Sequence, residues 1–110
     1  MDSLDNNISR ELIIEINHEG WIIKTTNNCY NILGYSPEEM TCLNIYDLIL
    51  DSNIRLLGAG ENNVKSRLLL KNKGQKYFDL LIHPVKSQKN QVIGAKISII
   101  LNYSQNFSLT

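Results

Sequence analysis

The stretch ILGYSPEEM, residues 32–40, predicts more local structure than any other part of the sequence. Gly34 follows an apolar pair, which is typical of a residue that ends a helix in the left-handed conformation. Ser36 then offers an N-cap and Pro37 suits the first helical position, while Glu39 completes a capping box with the serine. The stretch therefore predicts the end of one short helix and, directly after it, the start of another.

The residues before this stretch predict a β-hairpin and the first helix. Residues 12–17 and 21–25 are rich in isoleucine and other strand formers, and the polar residues 18–20 lie between them. This order is typical of two strands joined by a tight turn. The apolar spacing within residues 29–33 is helical, and Thr26 or Asn27 is expected to cap that helix.

The residues after the stretch predict further short helices. Asn44 is expected to cap a segment over residues 45–50, and Asp51 or Ser52 a third segment through residues 54–57.

Three strands are expected in the second half of the chain. They cover residues 64–70, 77–85 and 91–101, with turns at 72–74 and 87–90. Alternation in the middle strand predicts that Phe78, Leu80 and Ile82 are buried and that Tyr77, Asp79, Leu81, His83 and Val85 lie on the other face. The expected fold class is α+β, an antiparallel sheet with short helices covering one face.

Composition restricts the class of protein. The chain has 110 residues, 43% hydrophobic and 20% charged, which suits one soluble domain. Eleven basic and eleven acidic residues cancel, so we expect no nucleic-acid contact, and no apolar run is long enough to span a membrane. Without a secretory signal or a cysteine framework, the expected location is the cytoplasm, and both Cys29 and Cys42 are expected to pack in the core.

Several motifs together resemble the PAS domains, a family of sensory modules. Residues 20–22 are similar to the family's glycine turn, and residues 32–40 to its LLGYSxEE signature. Residues 44–49 resemble the helix that follows this signature, and residues 73–74 the central hairpin turn. The resemblance covers about residues 11–104 and implies a five-stranded antiparallel sheet in the order 2-1-5-4-3, with the helices against its inner face.

Two positions depart from the family pattern. Thr26 stands where many members have asparagine, and residues 102–104 stand where many carry the Asp-Ile-Thr motif that passes a signal to an outgoing helix. Coupling through that motif is therefore open. We expect a flanking helix or cap at residues 1–10, the PAS domain at 11–104, and a tail at 105–110 that begins a linker.

The resemblance also implies where cofactors would bind. Flavin-binding relatives have a reactive cysteine where this chain has Ile45, and haem-binding relatives use a histidine in the region of residues 51–57, which here contains none. Haem and photoactive flavin are therefore not expected, and the identity of any other ligand is open. His18 and His83 stand alone, so neither a metal site nor a catalytic group is predicted.

Two sets of residues are candidates for binding. Inward-facing residues of the helices and central strands would line a ligand pocket, and they would equally form a plain core: Ile32, Leu33, Met40, Ile45, Tyr46, Leu48, Ile54, Leu57, Phe78, Leu80, Ile97 and Ile99. Arg55 and Ser98 are further polar candidates. The candidates for a homodimer interface are Met1, Leu4, Ile8, Trp21 and Ile23.

These expectations favour a non-catalytic sensory domain that binds a small ligand or a partner and forms a homodimer. The parent protein would be a multidomain regulator such as a histidine kinase of a two-component system, a cyclic-dinucleotide enzyme or a transcription regulator. The alternative is a ligand-free dimerisation or docking domain with a fully packed interior.

Overall fold

A five-stranded antiparallel sheet in the order β2-β1-β5-β4-β3 forms the framework of the protein. The computed structural model describes residues 11–51, 54–58 and 60–101. In chain order, the elements are β1 (Glu11–Asn17), β2 (Ile22–Thr25), α1 (Cys29–Leu33), α2 (Pro37–Met40), α3 (Ile45–Leu48), β3 (Asn62–Leu69), β4 (Gln75–Lys86) and β5 (Val92–Ile100). The predicted fold class and strand order are both confirmed.

One face of the sheet is apolar because side chains alternate along each strand. In β4 the predicted set of Phe78, Leu80 and Ile82 is buried, and the residues between them are more exposed. The central strands β1 and β5 contribute the rest of this inner face, with Leu12, Ile14, Ile16, Ala95, Ile97 and Ile99. The three helices cover this face, so the core lies between the sheet and the helices.

The signals in residues 32–40 are confirmed. Gly34 ends α1 with a φ of 95°, and its N–H donates to the Tyr30 carbonyl. The capping box of α2 is complete: the Glu39 N–H donates to Ser36 Oγ over 3.1 Å, and the Ser36 N–H donates to Glu39 Oε1 over 2.9 Å. Asn44 caps α3 as expected.

The predicted cap of α1 is wrong. The helix begins at Cys29 with Asn28 at the N-cap, and neither Thr26 nor Asn27 holds that position. Thr26 Oγ1 instead accepts a hydrogen bond from the Ile13 N–H over 3.1 Å and donates one to Asn28 Oδ1 over 2.6 Å. The Thr26 hydroxyl, which the sequence pattern assigned to the helix cap, therefore binds β1 instead.

The predicted helix through residues 54–57 is also wrong. Asp51 and residues 54–58 have no helical structure, and α3 ends at Leu48 because Ile49 is already extended. The carboxylate of Asp51 contacts β3 instead of capping a helix. Within the described residues, no helix is long and apolar enough to cross a bilayer.

Candidate functional site

The apolar layer between the inner face of the sheet and the helices is the candidate functional site. Most of the predicted pocket residues are buried there together: Leu33, Met40, Ile45, Leu48, Phe78, Leu80, Ile97 and Ile99. Ile32, Ile54 and Leu57 are partly buried and pack against this cluster. The fold thus brings side chains from all three helices, from β4 and β5, and from residues 54–57 into one contiguous layer.

Tyr46 lies apart from the other predicted pocket residues. Its side chain is 48% exposed, although it belongs to α3, whose other face is buried. The ring packs over Gly20, so closely that a Cβ at residue 20 would meet it at 2.6 Å. The φ of Gly20 is 92°, so glycine is favoured at this turn by its backbone as well as by the ring.

Of the two other polar candidates, Arg55 is exposed and Ser98 is buried. Ser98 aligns with Ile13 on β1 and Leu81 on β4, which belong to the outer face of the sheet. Its hydroxyl therefore lies on the side of the sheet opposite to the apolar layer.

Ser66 is a polar residue of the inner face that the sequence analysis missed. It aligns with Phe78, has no exposed surface, and donates its hydroxyl to Asp51 Oδ2 over 3.0 Å. The signal was present, because Val64, Ser66 and Leu68 alternate along β3 and the serine interrupts an apolar series. Ser66 is thus a buried hydroxyl at the edge of the candidate site.

The two cysteines differ in their surroundings. Cys29 is buried, and burial raises the pKa of its thiol, so the neutral thiol is favoured. Cys42 is exposed, and its predicted place in the core is wrong. The turn that ends α2 directs Met40 inward and leaves Cys42 on the surface. At the position of the reactive cysteine in flavin-binding relatives, Ile45 is buried in the apolar layer.

Both histidines lie at the surface. His18 is in the β1–β2 turn, and His83 lies on the outer face of β4, with its Nδ1 2.7 Å from Glu61 Oε2. In the part of the chain that the structure describes, no three or more His, Cys, Asp or Glu side chains are grouped in a way that could hold a metal ion.

A shallow surface hollow of about 360 Å³ lies between α1 and the β3–β4 turn, lined by residues 30–34 and 70–72. Two contacts of Lys71 close one side of it: its N–H donates to the Leu33 carbonyl over 2.9 Å, and its Nζ donates to Glu39 Oε2 over 2.5 Å. The ion pair lowers the pKa of Glu39 and raises that of Lys71. These contacts hold the α1–α2 region against the sheet.

The predicted dimer residues fall into two groups. Met1, Leu4 and Ile8 lie outside the described residues. Ile23 lies in the edge strand β2 and Trp21 directly before it, and their exposed fractions are 57% and 47%. The structure thus leaves both side chains accessible to a partner.

Comparison with known proteins bears on the fold. No protein-family model and no curated protein sequence matches the chain. A PAS domain from Colwellia psychrerythraea is 15% identical, with a TM-score of 0.74 over 94% of this chain and 99% of that one. The chain has the PAS fold.

Other structures of PAS domains extend the comparison. One from a two-component sensor histidine kinase is 10% identical, with a TM-score of 0.70 over 90% of this chain and 97% of that one. One from the fruit-fly ELK potassium channel is 14% identical, with a TM-score of 0.66 over 89% of this chain and 93% of that one. The PAS fold thus accounts for nearly the whole described region, and structures with this fold come from sensory proteins and from a channel.

Proposed function

We propose that this PAS-fold domain is the sensory module of a multidomain cytoplasmic signalling protein, and that it binds a small ligand and forms a homodimer. The observation that carries the proposal is the enclosed apolar layer, in the same fold as PAS domains of sensor histidine kinases. Small ligands bind in sites lined mainly by apolar side chains, so a ligand of this domain would lie between the sheet and the helices. The domain itself would be non-catalytic.

Strand β5 is the route by which a ligand would affect the rest of the protein. It lies between β1 and β4 at the centre of the sheet, and its Ile97 and Ile99 belong to the apolar layer. A ligand that packs better against one arrangement of β5 shifts the population towards it, and so changes the geometry of the segment after Ile100. Differential affinity for the two arrangements is the only requirement.

A ligand-free docking domain is the second candidate. The observation in its favour is the complete burial of Met40, Leu80, Ile97 and their neighbours in one contacting cluster. A layer in which side chains fill the space would leave dimerisation or docking as the role of the domain.

Native mass spectrometry of the purified protein, together with its absorption spectrum, separates these candidates. The control is the same protein unfolded and refolded to remove any ligand. A non-covalent added mass that the refolded protein lacks, and a higher unfolding temperature when the identified compound is added back, would support the sensor. A bare mass with no stabilising compound in a ligand screen would contradict ligand binding. A dimer mass would then favour docking, whereas a monomer at high concentration would contradict dimerisation.

A further inference from the structure

Residues 43–51, which we call the strap, are hydrogen-bonded to both edges of the sheet. At the β2 edge, the Ile22 N–H donates to the Leu43 carbonyl over 3.1 Å, and the Ile45 N–H donates to the Gly20 carbonyl over 2.8 Å. Because β2 and β3 are the two outermost strands, a segment attached to both of them closes the inner face.

The attachment at the β3 edge combines two backbone contacts with the hydrogen bonds of one carboxylate. Ile49 forms a bridge with Leu68, and the Leu50 N–H donates to the Arg67 carbonyl over 3.0 Å. Asp51 then accepts three hydrogen bonds: from Ser66 Oγ at 3.0 Å and the Arg67 N–H at 2.8 Å on Oδ2, and from Arg67 Nη2 at 3.2 Å on Oδ1. The Asp51 carboxylate therefore contacts the backbone of β3, the Ser66 hydroxyl on its inner face and the Arg67 guanidinium on its outer face.

The β2 attachment contains no such charge. One side-chain contact of Asn44 crosses to that edge: its Nδ2 donates to the Glu19 carbonyl over 3.1 Å, while its Oδ1 accepts from the Tyr46 N–H within the strap and caps α3. Hydrogen bonds to an ionised group are stronger than neutral ones, so the β3 attachment depends on the charge of Asp51 and the β2 attachment does not. The contact with the Arg67 N–H, followed by those with Ser66 and the guanidinium, lowers the pKa of Asp51, so the carboxylate stays ionised at neutral pH.

The strap also covers part of the candidate site. Its Ile45, Leu48 and Ile49 are buried in the apolar layer, and Leu68 and Phe78 lie beneath them on β3 and β4. If the β3 attachment is released while the β2 attachment holds, Leu48 and Ile49 separate from β3 and the layer opens along that edge.

We infer that the strap is the entry gate of the candidate site, fixed at the β2 edge and latched at the β3 edge by Asp51. The inference rests on the proposed ligand-binding function, since it says where a small apolar ligand enters. Opening is local, so it takes place without unfolding of the sheet.

Hydrogen exchange in the full chain tests the latch, with Asp51→Asn as the variant. We expect the Leu50 and Arg67 amides to exchange about tenfold faster in this variant, because weaker hydrogen bonds hold that edge. The Ile22 and Ile45 amides should keep their wild-type rates. Asp47→Asn is the matched control, since Asp47 is an exposed acid of the same strap and its replacement changes the net charge equally. Equal acceleration at both edges, or none at Leu50, would overturn the latch.

A milder variant covers the case in which Asp51→Asn does not fold. Ser66→Ala removes one of the three contacts of Asp51 from a buried site without adding volume. The same selective acceleration, smaller in size, is expected. A rate at Leu50 equal to that of the wild type would contradict the proposal.

A dye that binds apolar surface through its aromatic rings tests the gate separately from the natural ligand. The association rate of 8-anilinonaphthalene-1-sulfonate should rise several-fold in the variant that opens the β3 edge and stay unchanged in Asp47→Asn. An opened edge without faster dye binding would overturn the gate. Faster dye binding in a protein that retains no natural ligand and is stabilised by no compound in the ligand screen would contradict the proposed function and leave the gate intact.

Discussion

The two faces of the same sheet differ in burial and in charge. The inner face consists almost entirely of buried aliphatic residues. On the outer face a row of charged and titratable residues crosses the sheet from Lys24 through Glu15, Lys96 and His83 to Glu61, which contacts His83. Exposed pairs of this kind contribute little each, whereas each buried aliphatic side chain contributes several times more. The difference indicates that most of the stability comes from the inner face, while the outer face, which also carries Ile13, Leu81 and Ile100, is the more exposed of the two.

The largest expected effect is that of a substitution on the outer face, at Gly94, and it is an exception to this comparison. Gly94 aligns with Asn17 and Val85, which belong to the outer face, yet a methyl group added to it would lie well inside the van der Waals distance of the Ile16 carbonyl oxygen. Because the obstacle is backbone of the neighbouring central strand, Gly94→Ala should cost about 3 kcal/mol or more of unfolding free energy. Urea unfolding of the purified variant measures this cost.

Gly60→Ala is the control for this substitution. Among the described residues beyond its chain neighbours, no atom lies within 4 Å of a Cβ at that position, so the change should stay within about 0.5 kcal/mol of the wild type. Equal stability of the two variants would show that β1 and β5 are not as close at Gly94 as the structure has them.

A pair of neighbouring leucines sharpens the comparison directly. Leu80 is buried on the inner face and Leu81 lies on the outer face, partly exposed, so the same truncation samples both sides of one strand. Leu80→Ala should lower the unfolding free energy by about 2–5 kcal/mol, and Leu81→Ala by about 1 kcal/mol or less. Unfolding curves with coincident slopes would give both values. A cost at Leu81 that matches the cost at Leu80 would mean that the outer face is as tightly packed as the inner one.

Local signals explain why most of the fold could be predicted from sequence. The left-handed Gly34, the capping box of Ser36 and Glu39, and the alternation in β4 each depend on residues within a few positions of one another. Such short-range signals hold whatever the rest of the fold is, provided that the residues concerned lie at a helix end or in a strand. The resemblance to PAS domains then supplied the strand order, which no local pattern contains.

Two of the wrong predictions concern side chains that act over long range. Aspartate commonly caps helices, but the fold of the sheet brings Ser66 and Arg67 to Asp51, and its carboxylate binds them instead. Thr26 likewise contacts Ile13 on β1. Cys42 follows α2, a single turn that places Met40 in the core and leaves Cys42 exposed. Local propensity lost to tertiary contacts in the first two cases, and these are the contacts that join the helices to the sheet.

The smallest expected effect concerns Glu39, which pairs with Lys71 where the helices meet the β3–β4 turn, away from both faces of the sheet. The hydrogen bond from Lys71 lowers the pKa of Glu39 below its ordinary value of 4.5. A carboxylate with a lowered pKa stabilises the fold fully above its unfolded value, and this contribution is lost as the pH falls through the folded value. Glu39→Gln should therefore be less stable than the wild type at neutral pH and should approach it in acid.

The control is Glu38→Gln, a neighbouring exposed acid in the first turn of the same helix. Urea midpoints measured from about pH 7 to about pH 3 should show a gap between wild type and Glu39→Gln that closes in acid, and Glu38→Gln shows what the same substitution does without the ion pair to Lys71. A gap at Glu39 that is independent of pH would mean that its capping contact with Ser36, which glutamine can keep, matters more than its charge. If Glu39→Gln behaves as described, the helical layer is held at this corner by a charge, as it is at Asp51, while burial supplies most of the remaining stability.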